Sequence, residues 1–255
     1  MKKIIVAIGG GEIVKMKTMP DDSLSEGPGE TLPIDEEIIR LSGKKNPKLL
    51  FLPTASGDSD GYIGNVQRHF GGKLGCEVSA LKLVAESLTD KEINKAILGA
   101  DIIYVGGGNA KSMLKVWKEK GVDILLRQAW ENGVVLSGLS AGANCWFRRC
   151  STDSAAIAAG TEKGGMLEIM DCLGFLDGIF VPHVLREASR RIEAEKVMQS
   201  GKYANETFYL SDDRSALIAI DDKIFGISAD GISATRAMTY DKVFKYHILP
   251  AMKQK

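Results

Sequence analysis

The sequence predicts an α/β fold: one mainly parallel, doubly wound sheet flanked by helices, with antiparallel strands added by the C-terminal part of the chain. Short apolar runs alternate with segments whose apolar residues recur every three or four positions, and this alternation is typical of parallel strands joined by crossover helices. After about residue 186, closely spaced strand-like segments replace that pattern. Because no repeat or linker marks a boundary, residues 1–255 are predicted to form one domain.

Each element has its own signal. The strands of the parallel sheet are predicted from mostly consecutive apolar positions, as in strands covered on both faces, and they read KKIIVAIGGG, PKLLFLPTAS, CEVSALKLV, ADIIYVGGG, GVVLSGLSAG and GIFVPH. The predicted helices read PIDEEIIRLSG, YIGNVQRHFGGKLG, TDKEINKAILG, NAKSMLKVWKEKGVDILLRQAWENG and REASRRIEAEKVMQSG. The last strands, predicted as hairpins that extend the sheet edge, read TFYLSDD, SALIAID, KIFGISAD and ATRAMTYDKVFKYHIL. Residues 15–33 and 148–174 are predicted as long loops that line or cover a site.

Composition excludes several classes of function. Among 255 residues, Lys+Arg and Asp+Glu both number 33, so the basic excess typical of phosphate binding is missing and nucleic acid is not an expected partner. The apolar stretch at the N-terminus is far shorter than the about 20 residues of a membrane span, so no membrane partner is expected either. The four cysteines form no zinc or disulfide pattern, which predicts a cytoplasmic protein that needs no metal or cofactor.

Three unusual turns follow predicted parallel strands, and ligands of open parallel sheets bind beyond the carboxyl ends of the strands. The turns are GGGN at Gly106–Asn109, the turn at Ser140, and Pro182-His183. Gly138–Gly142 matches G-x-S-x-G, a strand-to-helix turn that exposes a nucleophilic serine, and the N-terminus of the helix that follows favours a developing oxyanion. Ser140 is therefore the predicted nucleophile, and the alternative is a glycine-rich packing turn.

His183 is the predicted general base. Of the three histidines, it alone follows a strand at one of these turns, whereas His69 lies in a polar-looking helix and His247 in the final strand. The alternative is a core histidine bonded to the backbone.

The acid that orients the imidazole has several candidates. Asp213 is preferred because it sits at a strand end, Asp153 on the long loop is a close second, and Glu187 lies one helical turn beyond His183. Either aspartate can instead be an ordinary turn or capping residue.

GGGN supplies further candidates. Its spacing is not that of a phosphate-binding loop, so Gly107, Gly108 and Asn109 are predicted as an oxyanion or substrate-binding element. The N–H group of Ala141 is the second predicted oxyanion donor, and a plain strand-to-helix turn is the alternative for GGGN.

Arg186, Arg190 and Arg191 begin the helix after His183. A guanidinium can bind a carboxylate through two parallel hydrogen bonds, so Arg186 is included as a substrate-binding candidate. The alternative is a solvated helix face with glutamates as partners.

With these motifs in order, the sequence resembles the peptidase E group, serine peptidase family S51. The segments IIVAIGGGEI, LLFLPTAS, IIYVGGGNAKSML, SGLSAGANCWF and FVPH carry the resemblance, over roughly residues 2–220. It implies a class I glutamine amidotransferase-like fold and cytoplasmic hydrolysis of small peptides, with dipeptides bearing an N-terminal aspartate or the polymer cyanophycin as substrates of relatives. It also implies Ser140 as nucleophile and His183 as base. The family itself is divided over the acid, which is an aspartate at the position of Asp153 or a glutamate at that of Asp213.

A glutamine amidotransferase would have cysteine at position 140 and glutamate two residues after the histidine, where Ser140 and Leu185 stand. The sequence therefore predicts a dipeptidase-like serine peptidase that cleaves small peptides through an acyl-enzyme. The alternatives are a cyanophycinase-like isoaspartyl peptidase and a non-catalytic binding protein on the same scaffold. The exposed edge of the last hairpins is compatible with a homodimer.

Overall fold

The computed structural model describes residues 1–18, 24–153, 168–203 and 205–252. Its strands, in chain order, are β1 (Ile4–Ile8), β2 (Lys15–Thr18), β3 (Leu24–Gly27), β4 (Lys48–Leu52), β5 (Glu77–Ala80), β6 (Ile102–Val105), β7 (Val135–Leu139), β8 (Phe147–Thr152), β9 (Glu168–Asp171), β10 (Leu176–Val181), β11 (Phe208–Ser211), β12 (Ser215–Ile220), β13 (Lys223–Ser228), β14 (Thr235–Asp241) and β15 (Val243–Ile248). The α-helices of the described part are α1 (Leu32–Ser42), α2 (Asp60–Val66), α3 (Asp90–Leu98), α4 (Ala110–Glu119), α5 (Val122–Glu131), α6 (Ala141–Asn144) and α7 (Ala188–Gln199).

The first sheet has the strand order β13-β12-β1-β7-β6-β4-β5. Five of its strands, β1, β7, β6, β4 and β5, run parallel to one another. The β12–β13 hairpin adds two antiparallel strands beside β1. Helices cover both faces, which is why the strands are apolar at consecutive positions. In β1, Ile5 and Ala7 join one apolar cluster with α3, α4 and α5, whereas Val6 and Ile8 join the other with α1 and α2.

The expectation of one sheet is wrong, because β8 to β11 build a second one. Its strand order is β15-β14-β11-β10-β8-β9, with β8, β10 and β11 parallel to one another. Residues 148–174 were expected to form a loop, but β8 and β9 occupy most of its described residues, and residues 154–167 lie outside the described part of the chain. Strand β10 was expected in the first sheet. Local apolar patterns identify buried strands but not the strands with which they pair, so the sequence did not separate the two sheets.

The C-terminal hairpins are divided between the two sheets. The β12–β13 hairpin extends the first sheet, while β14 and β15 extend the second beside β11. The chain crosses from one sheet to the other between Ser211 and Ser215. This crossover therefore lies at the junction of the two sheets.

Local geometry explains smaller departures from the expected elements. The segment expected as one helix is broken into α4 and α5 at Gly121, which has a φ of 66°. After α2 the chain continues as a π-helix over Gln67–Lys73. Within the loop expected over residues 15–33, β2 and β3 pair as a two-stranded antiparallel sheet. No helix in the described part of the chain is long and apolar enough to cross a membrane.

Candidate active site

Ser140 occupies a strained turn between β7 and α6. Its φ of 56° and ψ of −113° lie outside the regions that L-residues favour, as expected for a nucleophile elbow. The turn is held by the Ser140 N–H, which donates to the Ile8 carbonyl at 3.0 Å, and by the Ser140 carbonyl, which accepts from the N–H groups of Ala143 and Asn144 at 2.9 Å. The helix that follows is a single turn of four residues. A negative charge at Ser140 would therefore be stabilised by the neighbouring backbone amides more than by a helix dipole.

Both glycines of the motif are required by close backbone approach. A Cβ on Gly138 would lie 2.3 Å from the Gly142 carbonyl oxygen, and a Cβ on Gly142 would lie 2.1 Å from that of Val105. Neither obstacle is a flexible side chain, so no other residue fits without moving the strand ends. The G-x-S-x-G spacing is thus a packing requirement that also exposes the serine.

His183 comes from the other sheet and reaches Ser140. It follows β10 with a φ of 60°, and its N–H donates to the Gly9 carbonyl at 3.2 Å. Its Nε2 lies 2.8 Å from the Ser140 Oγ. Ser140 and His183 are 43 positions apart in the sequence. Their side chains therefore meet at the junction of the two sheets and not at one edge of a single sheet.

Asp213 is the carboxylate that the structure places on the imidazole. Its Oδ1 lies 2.6 Å from the His183 Nδ1, and only 10% of its side chain is exposed. Because an ionised carboxylate can only accept, Nδ1 carries the proton and Nε2 is left to accept from the serine hydroxyl. The neighbouring Asp212 turns to Arg236 and the Ala234 N–H, so the two aspartates of the crossover have separate partners.

Asp153 and Glu187, the other acid candidates, bind an arginine. The Arg190 Nη2 donates to Asp153 Oδ2 at 2.9 Å, and its Nε donates to Glu187 Oε2. The Arg190 side chain is only 5% exposed. Of the three carboxylates, the structure therefore brings only Asp213 onto the Nδ1 of His183.

GGGN lies against the nucleophile, but its three candidate residues differ. The Gly107 N–H donates to the Tyr62 hydroxyl at 3.3 Å, and Asn109 caps α4 by accepting from the Ser112 N–H at 2.9 Å. The N–H groups of Gly108 and Ala141, in contrast, donate to no other group within the described ranges. These two amides therefore remain as backbone donors at the cavity of Ser140 that have no acceptor in the described part of the chain.

The structure places Arg186 outside the cavity that holds Ser140. It is exposed and lines a separate cavity of about 440 Å³ together with Asp213, Lys15, Glu30 and Arg214. The cavity next to the nucleophile measures about 110 Å³, and the arginine that lines it is Arg190.

Several site residues were not predicted from the sequence. Gly10 packs directly over the acid and base, since a Cβ there would lie 1.8 Å from Asp213 Oδ1 and 2.4 Å from His183 Nδ1. Tyr62 is partly buried, and the burial of its hydroxyl raises the pKa of that group to about 12, so it accepts the Gly107 N–H as a neutral phenol. The glycine run at positions 9–11 was a visible signal for Gly10, whereas nothing local marked Tyr62.

The remaining histidines lie elsewhere. His69 is buried in the first-sheet core, where its Nε2 lies 2.8 Å from the Asp35 Oδ2, and His247 is exposed on β15. Burial raises the pKa of Asp35, and its bonds to His69 and Thr31 act in the opposite direction. This pair is a core polar cluster separate from Ser140.

Comparisons with known proteins agree on one family. A sequence model of peptidase family S51 matches residues 22–227. The chain is 40% identical over 238 residues to YgaJ, an uncharacterised peptidase of Bacillus subtilis (strain 168), and this match covers 92% of each protein. It is also 31% identical over 110 residues to peptidase E of Shewanella denitrificans, covering 42% of this chain and 44% of that protein.

Two solved structures share the fold. A peptidase from an acI-B1 Actinobacterium superimposes with a TM-score of 0.66 at 17% identity, covering 99% of this chain and 96% of that one. A Listeria monocytogenes EGD-e protein described as peptidase E gives 0.59 at 20% identity, covering 89% and 99%. The resemblance seen in the sequence is confirmed: the chain belongs to peptidase family S51 and is a serine peptidase.

Proposed function

We propose that this peptidase hydrolyses small peptides, in the manner of a dipeptidase, through an acyl-enzyme on Ser140. The observation that carries the proposal is the unbroken hydrogen-bond chain from Asp213 through His183 to Ser140, with links of 2.6 Å and 2.8 Å. Hydrogen-bond reach between a nucleophile, a base and an orienting acid is the geometric requirement for this chemistry.

Each residue has one role in the proposed cycle. The Ser140 Oγ attacks the scissile carbonyl carbon while its proton passes to the His183 Nε2. When the C–N bond breaks, the same proton passes to the leaving amine, and an ester on Ser140 remains. Water then attacks the ester with His183 again as base, which releases the acid and restores the hydroxyl. Asp213 keeps Nδ1 protonated throughout and stabilises the imidazolium.

The oxyanion of the tetrahedral intermediate is assigned to the N–H groups of Gly108 and Ala141. Both residues line the cavity beside Ser140, and Gly108 cannot carry a side chain, because a Cβ would lie 2.2 Å from the Ala55 carbonyl oxygen. Loss of one such donor lowers kcat by about 10²–10³ in serine peptidases.

The small cavity supports a small substrate residue. At about 110 Å³ it is far below the roughly 300–1,000 Å³ of pockets for drug-sized ligands. An N-terminal aspartate is the preference that the resemblance implies. Neither a cyanophycinase-like activity nor a non-catalytic binding role is favoured by an observation at the site. A cytoplasmic location stays a prediction.

Active-site labelling tests the nucleophile without assuming a substrate. A fluorophosphonate probe should modify the folded wild-type protein at Ser140, and Ser140→Ala should abolish both labelling and release of amino acids from a dipeptide panel. The control is an unchanged thermal unfolding midpoint in the variant. A folded wild-type protein that resists the probe would favour a binding protein over a peptidase.

The acid is tested by a matched pair of variants. Asp213→Asn should lower kcat by about 10⁴-fold and slow labelling, because the imidazole loses its correct tautomer. Asp153→Asn should be labelled at the wild-type rate, since its carboxylate binds Arg190. The opposite ranking of labelling rates would transfer the acid role to Asp153.

A further inference from the structure

A further cavity, of about 400 Å³, is formed by residues of α7, β11, β14 and β15. Two neighbours of the catalytic residues also line it: Val184, which follows His183, and Asp212, which precedes Asp213. None of the three residues of the catalytic hydrogen-bond chain belongs to its lining. Its volume lies within the roughly 300–1,000 Å³ of pockets that hold drug-sized ligands. The cavity is therefore large enough for a small organic molecule, and the proposed function leaves it without a role.

Arg236 gives this cavity an unused hydrogen-bonding edge. Its Nη1 donates to Asp212 Oδ2 at 2.9 Å and to the Ala234 carbonyl at 3.4 Å. Its Nε and Nη2 donate to no acceptor in the described part of the chain, and neither is among the enclosed nitrogens that lack a partner, so both are accessible to solvent. The side chain as a whole is 32% exposed. Nε–H and the parallel Nη2–H form the edge through which a guanidinium binds a carboxylate with two hydrogen bonds.

The charges around the cavity allow an anion to bind. Among the described residues that line it, the cations are Arg191 and Arg236 and the carboxylate is that of Asp212. Arg191 is paired at 3.3 Å with Glu195, which lies outside the lining. With two positive and two negative groups ionised, the net charge of this set is zero. Binding of an anion therefore depends on the free edge of Arg236 and not on a net positive field.

The rest of the lining is mostly apolar. Val184 and Leu210 are buried side chains of the lining, whereas Leu185 is 58% exposed. Ala188 and Tyr246 complete this part of the surface. Ligand pockets typically combine apolar walls with a few placed polar groups, and an exposed large apolar side chain at such a pocket gains from covering. The ligand that fits both parts carries a carboxylate and an apolar group.

We propose that this cavity binds a small carboxylate with an apolar group. The carboxylate accepts from Nε and Nη2 of Arg236, and the apolar group packs against Leu185 and Leu210. The site goes beyond the proposed peptidase function and does not depend on it, because no residue of the catalytic chain lines the cavity.

Three probes test the class of ligand. 3-Phenylpropanoate should bind with a Kd below about 1 mM, at least about tenfold more tightly than 3-phenylpropanamide or acetate, because the amide lacks the charge and acetate lacks the apolar group. The measurement is a titration of methyl chemical shifts in protein labelled at leucine and valine, in which Val184, Leu185 and Leu210 should shift together and saturate. An equal Kd for 3-phenylpropanoate and either comparison probe, or saturation confined to other methyl groups, would overturn the proposal.

A pair of arginine variants locates the carboxylate. Arg236→Gln should weaken the binding of 3-phenylpropanoate by at least about tenfold, because it removes the bidentate edge. Arg186→Gln is the matched control, since this exposed arginine lies two residues before α7 and lines a different cavity. Its Kd should change by less than about twofold. Equal losses in the two variants would indicate a general effect of surface charge and would overturn the role of Arg236.

A second variant tests the cavity while leaving the Arg236–Asp212 bond in place. Ala188 is exposed and lines the cavity, so Ala188→Trp fills the cavity without needing space in the core. It should weaken the binding of 3-phenylpropanoate by at least about tenfold with the thermal unfolding midpoint unchanged. Undiminished binding to a folded Ala188→Trp variant would overturn the proposed location.

Blocking Ser140 separates this cavity from the active site. After fluorophosphonate labelling of Ser140, the Kd of 3-phenylpropanoate should change by less than about twofold. Loss of binding after labelling would place the ligand at the active site and overturn the proposal. Binding with the expected Kd to a protein that resists the probe and cleaves no peptide would support the carboxylate site while the proposed peptidase mechanism fails.

Discussion

Backbone strain concentrates at the residues to which we assign the chemistry. Six non-glycine residues of the described chain have positive φ, and three of them, Ser140, His183 and Arg214, lie at or next to the catalytic chain. Each such residue costs about 1–3 kcal/mol and persists only where the surrounding structure fixes it. Here the fixing contacts are backbone hydrogen bonds to Ile8, Gly9 and Gly10 at the end of β1. The end of the first strand thus orients Ser140, His183 and Arg214.

Tyr62 provides a prediction about oxyanion positioning. Its hydroxyl accepts the Gly107 N–H at 3.3 Å, which orients the backbone that leads to the Gly108 N–H. Tyr62→Phe should lower kcat by about tenfold with KM little changed, less than the 10²–10³ of a lost donor because Gly108 itself remains. Steady-state kinetics on a dipeptide substrate measure the changes in kcat and in KM separately.

Tyr104→Phe is the matched control for Tyr62. Tyr104 lies nearby and is more deeply buried than Tyr62, and its hydroxyl has no hydrogen-bond partner among the residues that the structure describes. Its removal should leave kcat unchanged and stability equal or higher, since no bond is lost. If Tyr104→Phe lowers kcat as much as Tyr62→Phe does, the effect comes from core packing and not from the position of the Gly107–Gly108 backbone.

Individual residues could be predicted from the sequence where they lie in a recognisable turn after an apolar strand. Ser140 and His183 were predicted because each follows an apolar strand at a turn with glycine or proline, and the structure brings them together. Asp213 was preferred among several acids on position alone, and it meets His183. Tyr62 had no such signal, because its bond to Gly107 joins segments far apart in the chain.

At the scale of elements, the end of β1 is the least replaceable part of the site. Gly9 contacts the Asp212 carbonyl, and Gly10 lies against the His183–Asp213 pair, so the glycine run leaves room for the acid and the base. A side chain at Gly10 would displace the carboxylate from the imidazole. The sequence showed this turn only as a run of glycines after an apolar strand.

Gly10→Ala should therefore reduce kcat by about 10²–10⁴-fold, approaching the effect of removing the acid. Fluorophosphonate labelling should slow in parallel, and circular dichroism checks that the variant is folded. Gly72→Ala is the control, because a Cβ at Gly72 meets nothing within 4 Å. Wild-type kcat in a folded Gly10→Ala variant would contradict the placement of Asp213 and His183 beneath this glycine.

Element positions were predicted better than element pairing. The apolar runs located β1, β4, β6, β7 and β10, and three- and four-residue spacing located α1, α3 and α7. The second sheet was missed because β8 and β9 arise from a segment rich in small and charged residues, and because parallel pairing of β8 with β10 and β11 depends on tertiary contacts. The consequence at the site is that Ser140 and His183 belong to different sheets.

At the scale of the whole molecule, a shared core connects the two sheets. Ile5 and Leu50 of the first sheet belong to the same buried apolar cluster as Phe147 and Phe180 of the second. The two phenylalanine rings stack with centroids 4.7 Å apart. Because the hydrogen bonds among Asp213, His183 and Ser140 span the junction of the sheets, this core also keeps Ser140 and His183 in place relative to each other. A homodimer through the edge strand β15 stays a prediction from the sequence.

We propose that residues 1–255 unfold as one domain, and Phe147 tests this. Phe147→Ala should lower the free energy of unfolding by about 3–5 kcal/mol, as for other buried phenylalanines. If the sheets form one cooperative unit, denaturant midpoints followed by far-UV circular dichroism, tryptophan fluorescence and Ser140 labelling should coincide and shift together. Ile248→Ala is the control: this side chain is 68% exposed on β15, so stability should change by no more than about 0.5 kcal/mol. Separate midpoints, with only one of them moved by Phe147→Ala, would mean that the sheets belong to two domains and that the active site lies at a domain boundary.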